Sequence, residues 1–144
     1  MKKVADILKR KGSHTISVSP QTAVIDALRL MAEKNIGSVM VMNGDEYLGL
    51  MTERDYSRKV ILKGKASNET TAAEIMTTDL PTVHPNDLID HCMQLLSDKH
   101  VRYLPVFEGS KLSGIISIND VVKEIILSHE ETISNLKDYL HANA

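Results

Sequence analysis

The sequence predicts a mixed α/β (α+β) protein, built from two pseudo-symmetric β-α-β-β-α repeats that form one module. Sliding the chain along itself aligns Thr15–Asp55 with Leu80–Asp120 without a gap. Matched prolines, glycines and aspartates fall at the same places in both copies. Apolar residues recur first at helical spacing and then in two short strand-like runs. Each copy is therefore expected to form a strand, a helix, a hairpin and a second helix.

The identical residues of the two copies include prolines, glycines and aspartates, which are common at turns and element ends. Among the identical pairs are Val18 with Val83, Pro20 with Pro85, Val41 with Val106, Gly44 with Gly109, Gly49 with Gly114, and Asp55 with Asp120. A unit of roughly 60 residues buries too little apolar surface to be stable alone, so the repeats are expected to share a core. The predicted boundaries are 1-63 for repeat 1, 64-71 for a linker, 72-128 for repeat 2 and 129-144 for a C-terminal helical extension.

Each repeat is predicted to open with a short strand and an amphipathic helix. In repeat 1 the strand covers Thr15–Val18, and Ser19 and Pro20 predict the N-cap and the first helical residue. The expected buried stripes are Val24, Ala27, Leu28 and Met31 in repeat 1, and Ile89, Cys92, Met93 and Leu96 in repeat 2. Cys92 matches Ala27, which favours a small buried residue over a nucleophile.

A hairpin and a further helix are predicted to follow. The strand-like runs are Ser38–Met42 with Tyr47–Met51, and Tyr103–Phe107 with Leu112–Ile116. Asn43-Gly44 and Glu108-Gly109 between them predict hairpin turns. The second helices are expected to begin near Thr52 and Ser117. The apolar pattern from Val121 to Leu140 predicts a C-terminal helix and allows a break near Ser128. That helix either packs on its own domain or docks a second subunit.

Composition and motifs exclude several classes of function. A formal net charge of -2 does not favour nucleic-acid binding. Apolar runs fall short of the roughly 20 residues that span a membrane, and no signal-peptide core follows the first lysines, so a cytoplasmic protein is expected. The six histidines, at 14, 84, 91, 100, 129 and 141, lack zinc-like spacing. The sequence has no phosphate-loop, dinucleotide or nucleophile motif, so neither a metal site nor catalysis is expected.

The candidate ligand groups stand where the last strand of each repeat becomes a helix. A hydroxyl and a carboxylate lie three residues apart there, as Thr52 with Asp55 and as Ser117 with Asp120. Free amides and the positive helix end favour an anion, and the carboxylate can accept from ribose hydroxyls. The same spacing resembles a capping box with Asp in place of Glu or Gln. A cap and a ligand site therefore both stay open.

The repeats resemble cystathionine-β-synthase (CBS) domains. The resemblance rests on TISVSP and PTVHP before the first helices, on NIGSVMVMNGDEYLGLMTERD in repeat 1 and on HVRYLPVFEGSKLSGIISIND in repeat 2. GLMTERDYSRKV and TISNLKDYLH are similar to small free-standing bacterial proteins of one CBS pair. Repeat 1 departs from the pattern at Met40, where repeat 2 has Pro105.

The resemblance implies a regulatory, non-catalytic module that binds AMP, ADP, ATP, NAD or S-adenosylmethionine in two clefts. It also implies a homodimer and an effector protein that the sequence does not identify. One cleft would combine Ser117, Asn119 and Asp120 with Thr15, Ile16, Ile36, Gly37 and Ser38. The other would combine Thr52, Arg54 and Asp55 with Leu80, Pro81, Val101 and Tyr103.

The charged side chains make the two predicted sites unequal. By the resemblance, Arg102 matches a position used for phosphate, where repeat 1 has Gly37. Arg54 and Arg58 are candidates for phosphate contact in the cleft of Asp55. For Arg58, Lys59, Lys63 and Lys65 a solvated basic face is the favoured interpretation. The alternative function is a structural interaction dimer without a physiological nucleotide.

Overall fold

The computed structural model describes residues 2–12 and 15–142. The chain divides into two compact units. The first-repeat unit is His14–Asp79, and the second-repeat unit combines Met1–Ser13 with Leu80–Ala144. The N-terminal segment thus belongs to the unit of repeat 2, and the predicted linker over 64-71 belongs to the unit of repeat 1. These structural boundaries differ from the predicted ones.

Repeat 1 follows the predicted order of elements, and repeat 2 follows it from its first helix onward. In chain order the elements are α1 (Val4–Lys11), β1 (Ser17–Val18), α2 (Val24–Lys34), β2 (Ser38–Asn43), β3 (Glu46–Thr52), α3 (Glu53–Tyr56) with a π-helical turn (Ser57–Ile61), α4 (Ala72–Ile75), α5 (Ile89–Lys99), β4 (Tyr103–Glu108), β5 (Lys111–Ser117) and α6 (Ile118–Ala142). Within the described residues, no helix combines the length and the apolar character that a membrane span needs.

The first-repeat unit contains a three-stranded sheet in the order β1-β2-β3. β1 runs parallel to β2, and β2 pairs antiparallel with β3, so that Ser38 lies opposite Thr52. The predicted hairpin is confirmed, and Gly44 adopts the positive φ of 61° that its turn requires. The predicted stripe of α2 is confirmed as well, because Val24, Ala27 and Met31 are buried and Leu28 packs against them.

The predicted start of α2 is wrong. Ser19 and Pro20 form a turn before the helix, in which the Thr22 N–H donates to the Ser19 carbonyl at 3.1 Å. The helix begins at Val24, and its first amides donate to carbonyls of the predicted linker. Val24 N–H donates to Thr70 at 2.8 Å, and Ile25 N–H donates to Ser67 at 3.0 Å. Backbone carbonyls that are distant in the sequence therefore accept hydrogen bonds from the first amides of α2, the role that Ser19 was expected to have.

The second-repeat unit pairs β4 with β5, and Tyr103 lies opposite Ser117. The leading strand of repeat 2 is reduced to one parallel bridge between Val83 and Val106. The stripe of α5 is confirmed, with Ile89, Cys92 and Leu96 buried and Met93 packed against them. Gly109 takes a positive φ of 65°, as the hairpin turn requires.

Helix α1 completes the core of the second-repeat unit. Val4 and Ile7 are fully buried in it, and Arg10 forms an ion pair with the buried carboxylate of Glu124. Leu8 packs so closely on β5 that a Cβ at Gly114 would lie 2.9 Å from its Cδ2 atom. The N-terminal segment is therefore an integral part of this unit.

Helix α6 runs without interruption from Ile118 to Ala142. The break that the sequence allowed near Ser128 is absent from this described helix. The Ser128 carbonyl accepts a hydrogen bond from the Thr132 hydroxyl at 3.0 Å, a local contact that a continuous helix tolerates. The predicted extension over 129-144 is thus the second half of α6, and its last two residues lie outside the described residues.

Candidate functional site

The junction of β5 and α6, here called the Asp120 junction, carries a reciprocal capping box. The Ser117 N–H donates to Asp120 Oδ2 at 2.8 Å, and the Asp120 N–H donates to Ser117 Oγ at 3.1 Å. The pair thereby satisfies two amides at the start of the helix. The capping interpretation of this motif is confirmed.

Lys11 of α1 lies on the same carboxylate. Its Nζ is 2.8 Å from Asp120 Oδ2 and donates to the Ile115 carbonyl at 2.9 Å. Burial alone would raise the pKa of Asp120, but hydrogen bonds from Lys11 and Ser117 and the charge of Lys11 lower it below its usual value. The side chain of Asp120 remains 23% exposed. Asp120 is therefore an ionised acceptor that solvent can reach.

The equivalent Asp55 junction, where β3 becomes α3, is more enclosed. Asp55 is only 5% exposed. Its Oδ2 accepts from the amide and the hydroxyl of Thr52, both at 3.0 Å. Its Oδ1 accepts from the Thr77 hydroxyl at 2.7 Å and lies 3.0 Å from Lys59 Nζ. Four donors fill the roughly four acceptor sites of a carboxylate. The carboxylate of Asp55 is therefore occupied by contacts that stabilise the fold. The two junctions differ in how much of the carboxylate is exposed.

Two backbone contacts place the residues before each hairpin beside these junctions. The Gly37 carbonyl accepts from the Glu53 N–H at 3.2 Å, and at the matched position the Arg102 carbonyl accepts from the Ile118 N–H at 2.9 Å. In the first-repeat unit, Ile36, Gly37 and Glu53 line a cavity of about 280 Å³. Each junction thus contacts the residue that precedes the hairpin of its own repeat.

The other predicted site residues are distributed over both units. In the first-repeat unit, Thr15 and Arg58 are exposed, Arg54 is half-buried, and Ile16 packs on the core. In the second-repeat unit, Arg102 and Asn119 are exposed, and the half-buried residues are Leu80, Pro81, Val101 and Tyr103. Each predicted cleft takes residues from both units, and that assignment stays a prediction.

Three polar partners of the junctions were not predicted from the sequence. Lys11 and Thr77 lie far along the chain from the aspartates that they contact, so no local pattern marks them. Lys59 follows Asp55 by one helical turn, a spacing that indicates an ion pair. The interpretation of Lys59 as part of a solvated basic face is wrong, because it pairs with Asp55 and donates to the Ile75 carbonyl at 2.9 Å.

Metal-ligating side chains do not converge in the part of the chain that the structure describes. Residues 2–12 and 15–142 hold no group of three His, Cys, Asp or Glu side chains that could bind a metal ion. His14 lies outside these ranges. Cys92 is buried, and burial raises the pKa of its thiol to about 11, so it is not a reactive thiolate at neutral pH.

Comparisons with known proteins agree with the repeat structure. The family model of the CBS domain matches residues 3–61 and 72–127. The mitochondrial CBS domain-containing protein CBSX3 of Arabidopsis thaliana is 33% identical over 146 residues, which cover 95% of this chain and 71% of that protein. A solved structure of a protein with CBS domains from Burkholderia ambifaria is 44% identical, with a TM-score of 0.83 over 88% of this chain and 95% of that chain.

A more distant solved structure has the same fold. It is the CBS domain pair of protein MJ0100, determined in complex with 5′-methylthioadenosine and S-adenosyl-L-methionine. It is 22% identical, with a TM-score of 0.75 over 87% of this chain and 96% of that chain. The two matches to the family model cover most of the sequence. The chain belongs to the CBS-domain family, as a pair of CBS domains on a single chain.

Proposed function

We propose that this CBS pair is a regulatory module that binds an adenine nucleotide through the Asp120 junction and catalyses no reaction on it. The observation that carries the proposal is the state of the Asp120 carboxylate, which is ionised, partly exposed and fixed by Ser117 and Lys11. A fixed anionic acceptor at a helix start suits a ligand that offers hydroxyl donors.

Ribose is the part of the ligand that Asp120 would hold. The amide of Ser117 and the ammonium of Lys11 both bind Oδ2. The Ser117 hydroxyl also donates to this carboxylate. Three donors use about three of the roughly four acceptor sites of a carboxylate, which leaves room for a ribose hydroxyl. Asp55 has four donors already, so we assign the ligand to the repeat 2 junction first.

Two cationic residues at the Asp120 junction, Lys11 and Arg102, favour a ligand that carries phosphate. Lys11 contacts the Asp120 carboxylate, and the backbone of Arg102 contacts the first residue of α6. An ammonium and a guanidinium both bind phosphate oxygens through charge-assisted hydrogen bonds. AMP, ADP, ATP or NAD therefore suits this unit better than S-adenosylmethionine, whose sulfonium is positive.

A binding role fits the chemistry of the junction better than catalysis. The lowered pKa of Asp120 makes it a weak general base at neutral pH, because proton transfer is most effective when the pKa lies near the working pH. The ligands in the MJ0100 structure both contain adenosine, which supports the adenosine part of the proposed ligand. The proposal also includes a separate effector protein that responds to the bound ligand, and a cytoplasmic location.

The experiment combines mass spectrometry with calorimetry. Ligand released from the purified, denatured protein is identified first, and AMP, ADP, ATP, NAD and S-adenosylmethionine are then titrated into wild type, Asp120→Asn and Asp45→Asn. Asp45 is exposed in the first hairpin and serves as the control. We expect Asp120→Asn to weaken nucleotide binding by about 10- to 100-fold, the loss of a hydrogen bond to a charged group. Equal affinity in all three proteins would contradict the proposal.

A second candidate function is an interaction dimer whose physiological role needs no nucleotide. The observation that favours it is the set of large apolar side chains exposed on α6. It predicts that none of the five compounds binds or raises the melting temperature. A bound ligand would raise it, because binding only to the native state adds about 2.7 kcal/mol at a hundredfold excess over Kd.

A further inference from the structure

Helix α6 carries a line of apolar side chains on its exposed side. Val122, Ile126, Ile133, Leu136 and Leu140 are between 40% and 64% exposed. All described side chains from His129 to Ala142 are exposed. A solvated helix of this length gains little stability from its own hydrogen bonds and usually buries an apolar face against another element. The second half of α6 therefore has the character of an interaction surface.

The spacing of these residues is that of a coiled coil. Positions 122, 126, 129, 133, 136 and 140 alternate in steps of four and three, which is the a/d pattern of a heptad repeat. Five of the six are apolar, and the sixth is His129. We call this line of six residues the α6 seam.

The opposite side of α6 is held by its own unit. Glu124 is buried against Arg10, and Glu131 lies 3.2 Å from Lys2. Both glutamates occupy heptad position f, which lies across the helix from positions a and d. The N-terminal segment thus fixes the inner side of the helix and leaves the α6 seam facing away from it.

Charges beside the α6 seam decide how two such helices can pair. Position e carries Lys123, Glu130 and Lys137, whereas position g carries the uncharged Ile125, Thr132 and Tyr139. Flanking charges of this kind set the orientation of a coiled coil. In a parallel pair g faces e, so no opposite charges meet. In an antiparallel pair e faces e, so a lysine and a glutamate can meet.

Two antiparallel registers bring opposite charges together. One pairs Glu130 with Lys123 of the partner subunit. The other pairs Glu130 with Lys137 of the partner subunit and places Ile133 opposite Leu136 of the partner subunit, in the half of α6 whose described side chains are all exposed. The same register puts His129 opposite Leu140 of the partner subunit. Shifting the helices by one heptad would instead bring Glu130 against Glu130 of the partner subunit, and Lys123 against Lys137 of the partner subunit. Like charges in that register disfavour it.

We infer that α6 pairs with the α6 of a second copy as an antiparallel coiled coil, with Ile133 facing Leu136 of the partner subunit and Glu130 facing Lys137 of the partner subunit. This gives a surface, a register and an orientation to a homodimer. It is independent of the ligand proposal, because the α6 seam contains neither Asp120 nor Lys11. Ligand binding and dimerisation are measured separately, so failure of one is distinguishable from failure of the other.

Charge reversal tests the register by sedimentation equilibrium of the full chain. Lys137→Glu places two pairs of like charges in the interface and is expected to raise the dimer dissociation constant by about tenfold, or about 1.4 kcal/mol. Glu130→Lys combined with Lys137→Glu restores opposite charges and should return the constant to within about threefold of wild type. Lys123→Glu is the matched control, because Lys123 faces no charged residue in this register.

Cross-linking tests the orientation. A mixture of the Glu130→Cys and Lys137→Cys variants should form a disulfide-linked heterodimer under mild oxidation, whereas either variant alone should form little linked dimer. Circular dichroism verifies that each variant is folded, which we expect because both side chains are exposed. A monomeric wild type, a dimer indifferent to Lys137→Glu, or a dimer strengthened by Lys123→Glu would each overturn the inference.

Discussion

The ammonium of Lys11 lies 2.8 Å from Oδ2 of Asp120, although 109 residues separate them in the sequence. The contact joins helix α1 to the start of α6 within the second-repeat unit. The N-terminal helix therefore supplies a charged group to the candidate ligand site of repeat 2. In repeat 1 the corresponding carboxylate, Asp55, takes its cation from Lys59 on the following helical turn.

Removing the ammonium should affect charged and uncharged ligands differently. We expect Lys11→Met to weaken AMP binding by about tenfold and adenosine binding by much less, because the ammonium assists phosphate more than ribose. The folded state should lose at most about 1 kcal/mol, since the pair is partly exposed. Titration calorimetry checks both ligands, with Lys9→Met as the control on the same helix. An equal loss of affinity for AMP and for adenosine would show that Lys11 does not recognise the phosphate.

The two aspartates should differ in their effect on stability. Asp55→Asn removes the charged acceptor of four donors at a buried site, and we expect it to lower the free energy of unfolding by about 2–3 kcal/mol. Asp120→Asn keeps part of its cap and should cost about 1 kcal/mol or less. Urea unfolding of both variants measures the difference. A smaller loss for Asp55→Asn than for Asp120→Asn would contradict the structural role of Asp55.

The Asp120 interaction should also give a pH dependence. Its pKa is lowered in the folded protein, so its contribution to stability is present above the unfolded pKa of about 3.9 and is lost as the pH falls through the folded pKa. We expect the stability difference between wild type and Asp120→Asn to be constant from about pH 5 to 7 and to shrink below about pH 4. Unfolding titrations at successive pH values test this. A difference that grows on acidification would show the opposite pKa shift.

The matched glycines at the centres of β3 and β5 should tolerate a methyl group unequally. A Cβ at Gly49 would lie 2.8 Å from the Thr77 carbonyl oxygen, which is backbone. A Cβ at Gly114 would meet only the movable end of Leu8. We expect Gly49→Ala to cost about 2–3 kcal/mol and Gly114→Ala about 1 kcal/mol or less, because overpacking is costly where the neighbour cannot move. Thermal unfolding compares them, and equal costs would contradict this account.

Local patterns predicted most elements of each repeat, although the leading strand of repeat 2 is only a single bridge. Long-range contacts explain why the start of α2 was misplaced. The buried stripe of α2 and the turn at Gly44 follow from spacing and from glycine chemistry, and both are confirmed. The start of α2 was misplaced because its amides bind the carbonyls of Ser67 and Thr70, which nothing near Ser19 indicates.

Long-range contacts were also missed at the candidate site. The spacing of Ser117 and Asp120 predicted both a cap and a ligand group, and the cap is confirmed. Lys11 has no marker in the sequence, because its place depends on how α1 packs against β5. Local spacing therefore identified the carboxylate but not the cation that fixes it.

The most direct test of the central claim is a thermodynamic cycle between Asp120 and the ribose hydroxyl. AMP and 2′-deoxy-AMP are titrated calorimetrically into wild type and Asp120→Asn. If Asp120 accepts from the ribose, the deoxy compound should bind wild type about tenfold more weakly than AMP, and this difference should largely disappear in the variant. If AMP and 2′-deoxy-AMP differ in affinity by the same factor in both proteins, or do not differ in either, ribose binding by Asp120 is contradicted.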